Sequence, residues 1–296
     1  MSVPGPDFAS MFSNRAGLVG VVLLVVACTD AGTIETSCPP SPWRSTPPLV
    51  IAHAGGEGLG PSNTIEAMER SLVAGADIVD VDLRMTSDGV IIARHDRDVA
   101  TTTDGRGNVD ELTWAGLRRL DAGAHWSGAP FDDPVRIPSL EQILTRFPDL
   151  TFSLELKQVE PSMAAVLCDV LGRTGSVERV YLSANDDAAV YAAQAACPPV
   201  LIVTTTYADL DRMRAADEGD RDWCSTSPIG QPPYRKGRFD AERVRTSHRR
   251  GMALFVWTVD DPVVLGALAT AGVDGVYTRR PDVAREVFDG LASTGG

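Results

Sequence analysis

The stretch IVDVDLRMTSDGVIIARH, residues 78–95, decides the fold. Ile78–Asp82 is short and apolar apart from Asp80 and Asp82, which stand two apart and so share one side of a strand. Val90–Ala93 is a second candidate strand, and His95 follows it. A parallel crossover needs roughly a dozen or more connecting residues. Only 13 positions separate Asp82 from His95, and Ser87-Asp88-Gly89 is a tight-turn signal. The spacing therefore predicts a hairpin that rises past a sheet, turns at Asp88-Gly89, and returns His95 beside Asp80 and Asp82.

Outward from this hairpin, short apolar runs alternate with amphipathic stretches. The strand candidates are Leu49–His53, Ile78–Asp82, Thr151–Leu156, Val180–Ser183, Val200–Thr204, Trp223–Thr226, Ala253–Val259 and Gly275–Thr278. Most are β-branched or otherwise apolar, as strands buried on both faces should be. Helical stretches such as Asn63–Ala74, Pro161–Gly172, Asp186–Ala196 and Asp261–Ala271 lie between them. Eight repeated strand–helix units predict an α/β protein, a (β/α)8 TIM barrel. Residues 96–147 form an excursion after the second strand, expected as a cap over the site.

The front of the chain has a different character. Ala16 to Ala27 is an unbroken apolar run behind Arg15, and it ends in Val25-Val26-Ala27-Cys28. It is too short to span a bilayer comfortably, which takes about 20 residues. It fits a secretory signal over residues 1–28, with Met11 as a start close in front of Arg15. Its end resembles a bacterial lipobox, which makes Cys28 the lipid-attachment residue; an ordinary signal with an incidental Cys is the alternative. Residues 29–48, rich in Ser, Thr and Pro, are expected as a tether, and 49–290 as the catalytic domain. The expected location is therefore outside the cell membrane, anchored by lipid or secreted.

Net charge is −13, with 44% hydrophobic and 23% charged residues. That acidity argues against nucleic-acid binding, which draws its affinity from basic patches. It is compatible with cation binding. No protein partner is indicated, and the membrane is expected only through the anchor. Beyond Cys28 stand Cys38, Cys168, Cys197 and Cys224. An even count in an exported chain permits disulfides. Cys168 and Cys197, on neighbouring outer helices, are expected to pair, leaving Cys38 with Cys224; free buried cysteines are the alternative.

Function in such a barrel collects at the C-terminal ends of strands. His53 ends the first strand, Asp80 and Asp82 the second, Glu155 and Lys157 the third, and Trp257 the seventh, with His95 returned by the hairpin. Two imidazoles can remove one proton and deliver another near neutral pH. Hard carboxylate oxygens suit Mg²⁺ or Ca²⁺. A lysine ammonium adds a point charge against phosphate oxygen. Each residue also has a plainer use: a strand-end hydrogen-bonder, a loop cap, a snorkelling lysine, a core tryptophan. Their joint placement favours a site. His125 and His248 fall in loop or helix and are expected to be non-catalytic.

Several runs occur here in a characteristic order. They are Ile51-Ala52-His53, Asn63-Thr64, Gly75-Ala76-Asp77, Asp80-Val81-Asp82, Thr86-Ser87-Asp88-Gly89, His95-Asp96, Leu120-Asp121-Ala122-Gly123, Ile137-Pro138-Ser139-Leu140, Glu155-Leu156-Lys157, Trp257-Thr258-Val259 and Gly272-Val273-Asp274-Gly275. Together they resemble the glycerophosphodiester phosphodiesterase family over about residues 49–285. The resemblance implies a TIM-barrel hydrolase that cleaves glycerophosphodiesters to glycerol phosphate and an alcohol. It implies His53 and His95 as the acid–base pair, and Asp80, Asp82 and Glu155 as ligands of one Ca²⁺ or Mg²⁺. Lys157 would contact phosphate, and Trp257 would line the glycerol or head-group side.

Three positions depart from that pattern. Ala54 stands where the family has Arg, Ser62 where it has a ligating Glu, and Asp80 where Glu is usual. Glu57, in the Gly55-Gly56-Glu57-Gly58 loop, is a possible compensating ligand. These departures keep two other readings open. One is a lysophospholipase D or sphingomyelinase D-like activity; the other is a catalytically weak, lipid-anchored binding protein.

Overall fold

The computed structural model describes residues 38–203 and 223–294. The signal segment, the Cys28 lipobox and the first part of the tether lie outside these residues. Among the described residues nine strands appear: β1 (Leu49–Ala52), β2 (Ile78–Met85), β3 (Ile91–Ala93), β4 (Thr151–Leu156), β5 (Val180–Ala184), β6 (Leu201–Ile202), β7 (Ile229–Gly230), β8 (Ala253–Val256) and β9 (Gly275–Thr278). Eight form a curled sheet in the order β6-β5-β4-β2-β1-β9-β8-β7, and β3 pairs with β2 off that path. Every pairing is parallel except β2–β3. This is the α/β barrel architecture that the repeated strand–helix units predict, hairpin included: Leu83 faces Ala93 and Met85 faces Ile91.

Strand alternation explains which residues go where. Val79, Val81 and Leu83 point outward and join a core with Leu140, Ile143, Leu167 and Leu171 of the covering helices. The other parity points inward: Ile51, Ile78, Tyr181, Phe255 and Tyr277 form an interior cluster. Further along β2, the same inward parity reaches Asp80 and Asp82. Hydrophobic packing thus sets the register that aims both carboxylates into the barrel.

Helices α1 (Ile65–Val73), α2 (Trp114–Leu117), α3 (Leu140–Arg146), α4 (Ala164–Arg173), α5 (Asp187–Ala196), α6 (Ala241–Arg249), α7 (Pro262–Ala271) and α8 (Pro281–Thr294) complete the described residues. Thr64 caps α1 by accepting from Ala67 N. Ser139 and Gln142 form a reciprocal capping box on α3. That box starts a barrel helix inside the expected cap, so the cap ends near residue 137. It carries a small core of its own around Ile92, Val99, Val109, Leu117 and Val135.

Other boundaries also differ from expectation. The expected strand Trp223–Thr226 is absent, and β7 lies at Ile229–Gly230 instead. The Ser225 hydroxyl donates to Ser227 O and the Ser227 hydroxyl to Ile229 O, local bonds that compete with a strand ladder. β8 stops at Val256, three residues early. The last stretch of the expected tether, 38–48, packs on the barrel. Cys38 bonds Cys224, the Ser41 hydroxyl donates to Pro228 O at 2.6 Å, and Trp43 packs edge-on against Tyr181 and Phe255. A large aromatic that can bury itself against the interior cluster outweighs the loop-forming bias of its Ser/Pro neighbours. Cys168 pairs with Cys197, as the outer-helix reading expects.

Candidate active site

Asp80 and Asp82 are buried on β2, and Glu155 of β4 stands directly beside Asp82 in the sheet register. His53 follows β1 and opens a tight turn, His53–Gly55. Ala54 there adopts φ 49° and Gly56 φ 91°, both left-handed. That turn swings the His53 ring over the barrel. Its Nδ1 lies 3.0 Å from Asp80 Oδ2, and Ala54 N donates to the same oxygen at 3.4 Å. Burial opposes charge on His53, but the Asp80 hydrogen bond and the charges of Asp80, Asp82 and Glu57 outweigh it and raise its pKa to about 9.

The second half of the site centres on Asp82. Asn63 Nδ2 donates to Asp82 Oδ2 at 2.8 Å, and Asp82 N donates to Asn63 Oδ1 at 2.9 Å. Lys157 Nζ bridges Asp82 Oδ1 at 3.1 Å and Glu155 Oε1 at 2.5 Å. Burial disfavours the Lys157 charge, yet Asp82 and Glu155 raise its pKa. Burial, with the charges of Asp80 and Asp82, lifts the Glu155 pKa against the pull of Lys157.

The hairpin is anchored where Arg94 N donates to Asp82 O at 2.7 Å. It does not bring the His95 ring onto either aspartate. Nδ1 of His95 lies 2.8 Å from Asp96 Oδ1, and the side chain is 58% exposed. The adjacent carboxylate captures it, and that bond holds Asp96 below the usual carboxylate range. His95 instead lines a cavity of about 140 Å³ between residues 57–64 and β3, together with Glu57, Ser62 and Arg94. Trp257, 36% exposed, donates from Nε1 to Gln231 O at 2.7 Å. That bond tethers a ring that stays partly exposed. His125 Nε2 lies 3.0 Å from Thr103 O, and His248 Nε2 lies 2.8 Å from Asp274 Oδ2.

Two site residues carried no role in the sequence reading. Asn63 appeared there only as a motif member and helix start. Its full burial and φ of 60° come from its clasp on Asp82, 19 residues away. Arg94 was passed over, although a charge directly behind the apolar run of β3 is a visible signal.

The carboxylate cluster can be tested against a divalent cation by its chemistry. Asp82 Oδ1 is buried and faces the Lys157 ammonium at 3.1 Å. The donors are hard carboxylate oxygens, which by type suit Mg²⁺ or Ca²⁺. As they stand, however, no three His, Cys, Asp or Glu side chains among the described residues gather on one point. Asp80 engages His53, and Lys157 fills the gap between the other two carboxylates.

Fold and site define an α/β-barrel protein of the hydrolase kind, with imidazoles, carboxylates and an ammonium at the strand ends. The chain matches the Glycerophosphoryl diester phosphodiesterase family over residues 53–283 and belongs to that family. It is 28% identical to the glycerophosphodiester phosphodiesterase of Bacillus subtilis over 299 residues, covering 95% of this chain and 97% of that one. The Caldanaerobacter subterraneus glycerophosphodiester phosphodiesterase is 29% identical over 241 residues, 79% and 95% of the two chains. Among solved structures, an Agrobacterium tumefaciens glycerophosphodiester phosphodiesterase superposes with TM-score 0.67 at 25% identity, covering 82% of this chain and 99% of that one. An Oleispira antarctica phosphodiesterase, solved with its product sn-glycerol-3-phosphate, gives TM-score 0.67 at 22% identity, over 82% and 98%.

Proposed function

We propose that this chain hydrolyses glycerophosphodiesters to glycerol phosphate and an alcohol, assisted by one divalent cation. The observation that carries the reading is the His53–Asp80 pair beside the Asp82–Glu155–Lys157 cluster, at the strand ends of a barrel in this family. The Oleispira relative's bound product, a glycerol phosphate, agrees with it.

Asp80, Asp82 and Glu155 are the residues that would hold the cation, with Glu57 as a further carboxylate within electrostatic reach of His53. When bound, such an ion neutralises charge building on the phosphoryl oxygens. Lys157 would then turn its ammonium from the carboxylates to a phosphate oxygen. His53 and His95 share the proton work: water adds to phosphorus as the P–O bond to the alcohol breaks, one proton leaves the water, and one reaches the departing oxygen. Asp80 orients His53, and Asp96 orients the His95 ring through Nδ1, with no partner on Nε2 among the described residues. Trp257, partly exposed, would pack against the substrate's carbon skeleton.

The test is glycerol phosphate release from glycerophosphocholine with Ca²⁺, Mg²⁺ or chelator. Cation-dependent release that drops by about 10²–10⁴ in His53→Ala and in His95→Ala supports the reading. A folded protein silent with every cation overturns it for this substrate. Turnover of long-chain lysolipids by that protein would point to lysophospholipase D chemistry instead. Export and lipid attachment at Cys28 belong to the same reading; fatty-acid labelling lost in Cys28→Ser checks them.

A further inference from the structure

A pocket of about 320 Å³ opens where the cap meets the first turns of α1 and α3. Arg118, Arg119 and Arg136 line it, and all three are exposed. Arg118 and Arg119 make no side-chain hydrogen bond or ion pair among the described residues. Arg136 is pinned in place, because one terminal nitrogen donates to Arg119 O and, at 3.3 Å, to Leu120 O. Its Nε and other terminal nitrogen are left to give. Half-buried Trp114 also lines the pocket, and its indole N–H has no acceptor among the described residues. Gln142 spends its side-chain oxygen on Ser139 N at 2.9 Å, which leaves its amide hydrogens. Glu66 is the carboxylate of the lining, and it forms no ion pair with the three arginines.

Unpaired arginines are not forced on this chain by a shortage of carboxylates, since it has 40 Asp and Glu against 27 Lys and Arg. Elsewhere its arginines find them: Arg97 pairs with Asp110, Arg279 with Asp260 and Arg280 with Asp282. Three guanidinium groups gathered without such partners repel one another. Guanidinium and indole groups offer donors and no acceptor, so the matching ligand brings acceptors and negative charge.

We propose that this pocket binds a doubly charged phosphoryl group, as in a phosphomonoester or inorganic phosphate. Planar guanidinium forks match phosphate oxygens in pairs. Three guanidinium charges against the one of Glu66 leave two positive charges, close to the charge of a phosphomonoester at neutral pH. A carboxylate ligand would bring one charge and two oxygens. The pocket is separate from the cavity beside His95: buried Ile137 is the residue that lines both. The proposal therefore does not depend on the phosphodiesterase reading.

Calorimetric titration of the full chain with inorganic phosphate, at low salt and with chelator, tests it without any turnover. The wild type should bind with a dissociation constant of about 1 mM or tighter, weakening as salt screens the charges. The double variant Arg118→Gln, Arg119→Gln should bind at least about tenfold more weakly. Both side chains are exposed and unbonded, so the variant should fold as the wild type does. Equal affinity in the two proteins would place any bound phosphate elsewhere and overturn the site. Acetate held as tightly as phosphate would overturn the phosphoryl assignment. Wild-type binding to phosphatidylglycerol vesicles without binding of free phosphate would overturn it in favour of a lipid surface.

Discussion

His53 keeps its proton through neutral pH because Asp80 faces its Nδ1 in a buried setting. Its folded pKa, about 9, lies above the unfolded 6.5. The stabilisation it contributes is therefore complete below pH 6.5 and is lost as pH rises through about 9. That difference corresponds to something on the order of 3 kcal/mol. With chelator present, melting temperature should fall across this window, and the His53 ring should titrate near 9 by NMR. Asp80→Asn should move that titration down toward 6.5 and flatten the melting curve's pH dependence. An unshifted titration in the variant would mean that another group holds the proton. Much of this residue scale was visible beforehand: His53, Asp80, Asp82, Glu155 and Lys157 do meet. Invisible were the partners of each. Asn63 clasps Asp82 and Asp96 captures His95, and neither choice follows from strand parity.

At the scale of elements, the turn after β1 controls the site. Gly56 holds φ 91°, and a Cβ there would collide with the Ser71 hydroxyl, which itself donates to Gly55 O. Gly56→Ala should therefore displace the turn carrying His53 and lower stability by about 1–3 kcal/mol. Turnover should fall at least about tenfold, with the melting temperature measured alongside it. A fully active, equally stable variant would show that the turn relaxes without moving His53. The β2–β3 hairpin was legible because its turn residues and its short spacing both act locally. β7 was misplaced because serine hydroxyls and apolar residues compete over only a few positions, and the winner depends on which strand finds β8. The end of the cap was misjudged for a similar reason: Ser139 and Gln142 begin a helix whose apolar face belongs to the barrel core.

Across the whole molecule, the Cys38–Cys224 bridge joins residues 186 apart. It pins the N-terminal segment that carries Trp43 onto the interior cluster. Cross-links over long loops typically contribute about 2–5 kcal/mol. Replacing both cysteines by serine should lower the denaturation midpoint by that order; reductant, which also opens Cys168–Cys197, should lower it at least as far. An unchanged midpoint would show that Trp43 packing alone holds the segment. Among the described residues no helix is long and apolar enough to cross a membrane. The sequence by itself determined the barrel class, the inward aim of Asp80 and Asp82, the hairpin and the residue types at the strand ends. Those features arise from two-residue alternation, turn chemistry and spacing, all acting over a few positions. Tertiary structure alone decided that Lys157 sits between two carboxylates, that Asn63 locks Asp82, and that Arg118, Arg119 and Arg136 gather around one pocket. Those outcomes depend on side chains that meet only after distant strands take their register, and on burial that sets which charges must pair.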